Sequence, residues 1–123
     1  MKSAALTHDI IGAAMEVHTL LGPGFLEAIY KNALVHELRI RGLVVTTELE
    51  VPVVYKNEVV GKHRLDIVVE GQVILELKAV NAISEFHTAQ TLSYMTATRI
   101  ELALILNFGC PSLSWKRLIK SRG

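Results

Sequence analysis

The 123-residue chain has a single cysteine, Cys110, which rules out an internal disulfide and any zinc site built from several thiolates. An excess of either charge is missing too. Thirteen Lys and Arg stand against twelve Asp and Glu, a formal charge of +1. A global basic field that would hold nucleic acid by charge alone is therefore absent, and such binding would fall to a local patch or to metal ions offsetting carboxylates. No apolar run approaches the roughly 20 residues of a membrane span, and the Met1-Lys2-Ser3-Ala4 start lacks the hydrophobic stretch of a signal peptide. Internal repeats, low-complexity tracts and linkers are also lacking. What is present suits folding, with half the residues hydrophobic and 20% charged. The expectation is one compact cytoplasmic domain covering residues 1–123.

Helical periodicity runs from about Ala4 to Leu21, with Leu6, Ile10, Ala14, Val17 and Leu21 three or four apart. Gly22-Pro23-Gly24 stops it. A second helix is predicted from about Phe25 to Arg41, with Leu26, Tyr30, Ala33, Leu34 and Leu38 on its apolar stripe and Gly42 as its cap. The period then turns to alternation. Val44 to Tyr55 reads as a strand, and Pro52, which cannot donate to a ladder, argues for an edge position. Lys56-Asn57-Glu58 is the turn into a second strand, Val59 to Val69, and Glu70-Gly71-Gln72 leads to a third, Val73 to Val80. Ser84 is placed to cap a helix reaching about Thr98, with Phe86, Ala89, Gln90, Ser93, Tyr94 and Ala97 along one side. Leu102 to Leu106 is apolar on both faces, the pattern of a central strand, and Ser114 to Ile119 adds a last one. The order ααβββαβ(β) predicts an α/β fold, a mixed sheet packed by helices.

The second and third strands hold the informative residues. Leu65, Ile67 and Val69 should share one face, as should Val73, Leu75 and Leu77. A hairpin has to join apolar face to apolar face, because a slip of one residue turns every core side chain outward. A three-residue loop centred on Gly71 pairs Val69 with Val73 and Ile67 with Leu75, and so sets Asp66 opposite Glu76. Bare carboxylates opposed in this way repel by about 3 kcal/mol at roughly 5 Å and an effective dielectric near 20. Lys78, about 6.6 Å beyond Glu76 on the same face, offsets part of that. A divalent cation would offset more, and hard oxygen ligands suit Mg²⁺ or Mn²⁺. An isolated D…ExK pattern is more simply a solvated ion pair. Here, however, the Glu and Lys stand in the apolar run Val73-Ile74-Leu75-Glu76-Leu77-Lys78-Ala79-Val80, where unpaired charge is costly. Two acids holding a metal against a phosphoryl oxygen, with an ammonium to orient attacking water, form a hydrolytic site.

Asp66 followed by Glu76-Leu77-Lys78 across a hairpin resembles the core motif of the PD-(D/E)XK nuclease superfamily. Gly24-Phe25-Leu26-Glu27-Ala28-Ile29-Tyr30 resembles the pattern that names the GxxExxY proteins, a small prokaryotic family placed in that superfamily. The likeness extends through Leu21-Gly22-Pro23-Gly24, Ala79-Val80, Gln90-Thr91-Leu92-Ser93-Tyr94 and Asn107-Phe108-Gly109, from about Ile10 to Ile119. It implies a restriction-endonuclease-like αβββαβ core with one extra N-terminal helix, and Mg²⁺-dependent hydrolysis of phosphodiester bonds in nucleic acid, DNA before RNA. By the same resemblance Asp66 and Glu76 are metal ligands, joined by the backbone carbonyl of Leu77, and Lys78 is the catalytic lysine. Glu27 would be an auxiliary acid for metal or water. Gln90 and Tyr94 would line the site or contact the nucleic acid backbone.

Each of these residues also has a plainer reading. Glu27 in the first turn of a helix is favourable with the helix dipole, and Lys31 one turn on can pair with it. Tyr94 can be core, while a buried Gln90 would need polar partners. No two histidines have the spacing of a metal pair and each is more simply a surface or satisfied residue, although His18, which precedes the glycine turn, could approach Glu27; Cys110 has no neighbour to activate it as a nucleophile. Basic residues cluster at Lys62-His63-Arg64 and at Trp115-Lys116-Arg117 with Lys120 and Arg122. These are candidate phosphate contacts, with Trp115 a candidate base stack. A catalytically silent nuclease-fold module that binds nucleic acid or a protein is the rival reading, and a homodimer is compatible with either. Hydrolysis of a free nucleotide is disfavoured, since Gly22-Pro23-Gly24 does not resemble a P-loop.

Overall fold

The computed structural model describes residues 2–121, which form α1 (Lys2–Leu21), α2 (Glu27–Ile40), β1 (Val45–Tyr55), β2 (Glu58–Val69), β3 (Val73–Lys78), α3 (Glu85–Thr98), β4 (Leu102–Asn107) and β5 (Ser114–Ile119). The strands lie in the order β1-β2-β3-β4-β5. Neighbours joined by hairpins or short loops are antiparallel, whereas β3 and β4, joined through α3, are parallel. This is the expected mixed α/β sheet with the restriction-endonuclease-like element order. Pro52 falls on β1, an edge strand, as its missing N–H requires.

Both hairpin turns follow the local chemistry. Lys56 and Asn57 take left-handed conformations (φ 48° and 69°), which makes a two-residue turn between Tyr55 and Glu58. The second hairpin has the register expected from its apolar faces, Val69 with Val73 and Ile67 with Leu75. Ser84 caps α3 through a capping box. Its hydroxyl accepts from the His87 N–H at 3.2 Å, and its own N–H donates to His87 Nδ1 at 3.1 Å.

The sheet separates two cores. On one face α1 and α2 bring Ile10, Ala14, Tyr30, Leu34 and Leu38 onto Ile67, Val69, Leu75, Leu104 and Leu106. On the other, α3 brings Tyr94 and Met95 onto Leu65, Val68, Ile74, Ala103 and Ile105. Leu65 therefore does not share a face with Ile67 and Val69, contrary to simple alternation. The reason lies on β1, where Glu48 has φ 54°. One residue in the left-handed region breaks the two-residue period. Val45 packs against the α1/α2 core, while Leu49 and Val51 pack against the α3 core, and their partners on β2 cross with them. Along α3 the buried residues are Thr91, Tyr94 and Met95. Phe86 and Ala89 are exposed and Gln90 is only half-buried, so the stripe predicted through them is displaced.

Two motifs work as clamps. The Tyr30 hydroxyl donates to the Gly22 carbonyl and accepts from the Phe25 N–H at 3.1 Å, while its ring stacks on Phe108. Gly24 supplies a φ of 108° in this turn. Because Leu26 is extended at the N-cap, α2 starts at Glu27 instead of Phe25. At the far side, the buried Asn107 amide accepts from Val80 N–H (3.1 Å) and Gly109 N–H (3.0 Å) and donates to Val80 C=O (2.9 Å). That side chain takes over the backbone of Val80, so β3 ends at Lys78. A Cβ at Gly109 would lie 2.5 Å from Val80 N, which explains the glycine.

Candidate active site

The β2–β3 ladder is paired from Val69–Val73 to Ile67–Leu75 and stops there, one residue short of Asp66 and Glu76. β3 continues to Lys78 paired only with β4. The strands thus part where the two acids stand, and the main chain at Leu77 and at Asp66 lowers the Asp66 and Glu76 carboxyls respectively, against the larger effect of burial. Lys78 Nζ lies 3.9 Å from Glu76 Oε2.

Glu76 is almost fully buried, at 4% exposure, and its Oε1 has no hydrogen-bond partner in the protein. Burial and the Asp66 charge push its carboxyl up to about 8, with Lys78 pulling the other way. Asp66 is also raised, first by burial, against the opposing charges of Lys31 and Lys78. Glu27, the first residue of α2, is at the surface yet raised by desolvation. Lys78 lowers it, Asp66 raises it, and His87 and Lys31 lower it further. A buried carboxylate oxygen without a donor, beside a second carboxylate, is the environment a hard divalent cation relieves. Among the described residues no group of three or more His, Cys, Asp or Glu side chains is gathered closely enough to hold a metal. The pair would therefore be completed by main-chain oxygen, water or a substrate phosphate, as Mg²⁺ commonly is.

Tyr94 comes to this site. It is 7% exposed, packs edge-on to His63 at 4.6 Å between centroids, and is pushed up to about 12 by burial and by the charges of Glu76 and Asp66. Gln90 is one turn earlier on α3, half-buried. Lys62 and Arg64 lie on the exposed side of β2, each in an ion pair, Lys62 with Glu50 at 3.0 Å and Arg64 with Glu48 at 2.7 Å. His18 does not approach Glu27. Its Nε2 is 2.8 Å from the Cys110 carbonyl and its ring stacks on Phe108, so it belongs to the core beside Tyr30. The basic tail is divided. Lys116 pairs with Ile105 and its Nζ donates to Thr88 on α3, whereas Trp115 and Arg117 pair with Leu106 and Leu104, which face the other core. Trp115 and Lys116 thus stand on opposite faces of the sheet, and Arg122 lies outside the described residues.

Three residues at the site were not singled out as site residues by sequence reasoning. Lys31 on α2 forms ion pairs with Glu48 on β1 and, at 3.9 Å, with Asp66 Oδ1. Glu48 stands between the paired rows Thr47–Ile67 and Leu49–Leu65, abreast of Asp66. His87, which caps α3, is near enough to Glu27 that a proton on its free ring nitrogen would lower that carboxyl. Lys31 could have been suspected from its four-residue spacing to Glu27. Glu48 could not, since Thr46-Thr47-Glu48-Leu49-Glu50 looks like any solvated edge strand.

Among the described residues no helix is long and apolar enough to cross a membrane. No curated protein and no solved structure matches the chain. A family model does, over residues 4–118, and with that span taking in every element from α1 to β5, the chain belongs to the PD-(D/E)XK nuclease superfamily.

Proposed function

We propose that the protein is a Mg²⁺-dependent nuclease that hydrolyses phosphodiester bonds, with DNA as the first polymer to test and Mn²⁺ as a working substitute. The observation that carries this reading is the buried, unpartnered Oε1 of Glu76 beside Asp66. A buried carboxyl with so little compensation is costly to a fold, and strongly perturbed groups of this kind cluster at functional sites.

Asp66, Glu76 and the Leu77 carbonyl would hold the divalent cation, which would supply Lewis-acid chemistry at the phosphoryl group. Lys78 holds the attacking water and the developing phosphoryl charge in place. Glu27, at the start of α2, orients water from the open side. Tyr94 and Gln90 bound the site on the α3 side. Lys62 and Arg64 meet the nucleic acid backbone only by exchanging Glu50 and Glu48 for phosphates, which predicts weak binding of long duplexes.

Mn²⁺ titrated into the full chain should bind, and Asp66→Ala should abolish that binding. Lys78→Ala should keep Mn²⁺ binding and lower cleavage by on the order of 10³-fold. Cleavage unchanged in Lys78→Ala removes that residue from the reaction. Nucleic acid bound equally with and without Mn²⁺, and never cut, would favour the silent binding module.

A further inference from the structure

We infer that Glu48 is a positioning residue, whose carboxylate holds the Lys31 ammonium back from Asp66 so that Asp66 stays free to take a cation. The inference rests on the reading of Asp66 and Glu76 as a cation-binding pair and extends it to a second layer.

Lys31 is the cation that forms an ion pair with Asp66, whereas Lys78 pairs with Glu76, and the Lys31 side chain is only 15% exposed, so its ammonium has few alternatives to the carboxylates around it. Left alone, it would settle on Asp66 and compete with any cation there. It does not settle. Lys31 Nζ is closely bonded to Glu48 Oε1 and stands 3.9 Å from Asp66 Oδ1, beyond hydrogen-bond distance. Glu48 is anchored from its other oxygen by Arg64 Nε at 2.7 Å, which fixes the carboxylate in orientation. The backbone contributes as well. Glu48 is left-handed (φ 54°) inside a strand, a conformation glutamate rarely takes, and it is found at the row abreast of Asp66. The chain Arg64–Glu48–Lys31–Asp66 is thus a relay of alternating charge running from solvent to the acid pair. Outer partners of this kind set ligand orientation and cation affinity without touching the cation.

Calorimetric titration of Mn²⁺ into the full chain tests this through four proteins: wild type, Glu48→Gln, Lys31→Met and the double variant. Glu48→Gln should weaken Mn²⁺ binding about tenfold. Lys31→Met should bind at least as tightly as wild type, and adding Glu48→Gln to it should change affinity by less than about threefold. Glu48→Asn, which tolerates the left-handed backbone, should behave as Glu48→Gln does. An equal loss in the presence and absence of Lys31 would overturn the inference, because Glu48 would then act by its own charge. Unchanged affinity in Glu48→Gln, or retained affinity in Glu48→Asn, would overturn it too. Failure of the underlying reading gives a different result: no Mn²⁺ binding by wild type, or binding that survives Asp66→Ala.

Discussion

β3 and β4 are parallel, six residues each, and buried along nearly their whole length, whereas β1 and β2 form an antiparallel ribbon of eleven and twelve residues whose outer end is bare. Val54, Tyr55, Val59 and Val60 at that end are all more than half exposed. The short pair is covered by helices on both sides and clamped at its end by Asn107. The long pair is kinked at Glu48 and changes faces there. The acid site lies on the seam between them, with Glu76 and Lys78 on the rigid side and Asp66 on the ribbon. Where a strand is buried twice, a carboxylate is held in place and desolvated; where it is buried once, the strand can bend to bring a second carboxylate up to it.

Changing pH tests the rigid side most strongly. Glu76 titrates near 4.5 in the unfolded chain and about 8 in the fold. The folded state holds that proton longer, so this contribution to stability is complete below pH 4.5 and is lost as pH rises through about 8. Without divalent ions, unfolding free energy should fall by roughly 1 kcal/mol per pH unit across this window. Asp66 and Glu27, also raised, add in the same sense. Denaturation series at several pH values should show this loss, Glu76→Gln should flatten it, and Mn²⁺ should oppose it at the alkaline end. A wild-type profile as flat as that of Glu76→Gln would mean Glu76 is already ionised and paired.

Matched truncations separate the two regions next. Ile105→Ala, in the fully buried β4, should cost about 3 kcal/mol by urea denaturation. Gly109→Ala, forced against the Val80 backbone, should cost about 2 kcal/mol and disturb the end of β3 next to Lys78. Val60→Ala on the ribbon should stay within about 0.5 kcal/mol. A large loss at Val60 would break the contrast, by showing that the outer ribbon is covered by something in solution.

The register that brings the candidate acids together was readable in the sequence. Asp66, Glu76 and Lys78 follow from the hairpin register, which apolar faces and a three-residue loop dictate locally. Glu27 is a candidate only through the family resemblance, while Tyr30, read as part of the α2 apolar stripe, also ties the glycine turn. The ladder's early end was not readable, since pairing rules carry on until something stops them. Neither was the displaced α3 stripe, where the sheet's twist decides which residues face inward. The partner of His18 was not readable for a related reason: a histidine before a turn has many groups within reach, and Cys110, 92 positions away, is not visible from its neighbours.

Periodicity, turn chemistry and caps act over a few residues, and they were enough to set the element order, the mixed sheet and the hairpin register that leads up to the two acids. The left-handed Glu48 and its hold on Lys31 depend on residues 17 positions apart meeting across a helix and an edge strand. No local pattern encodes that meeting. It exists because α2, β1 and β2 pack together, and packing alone turns an ordinary surface glutamate into a neighbour of the acid pair.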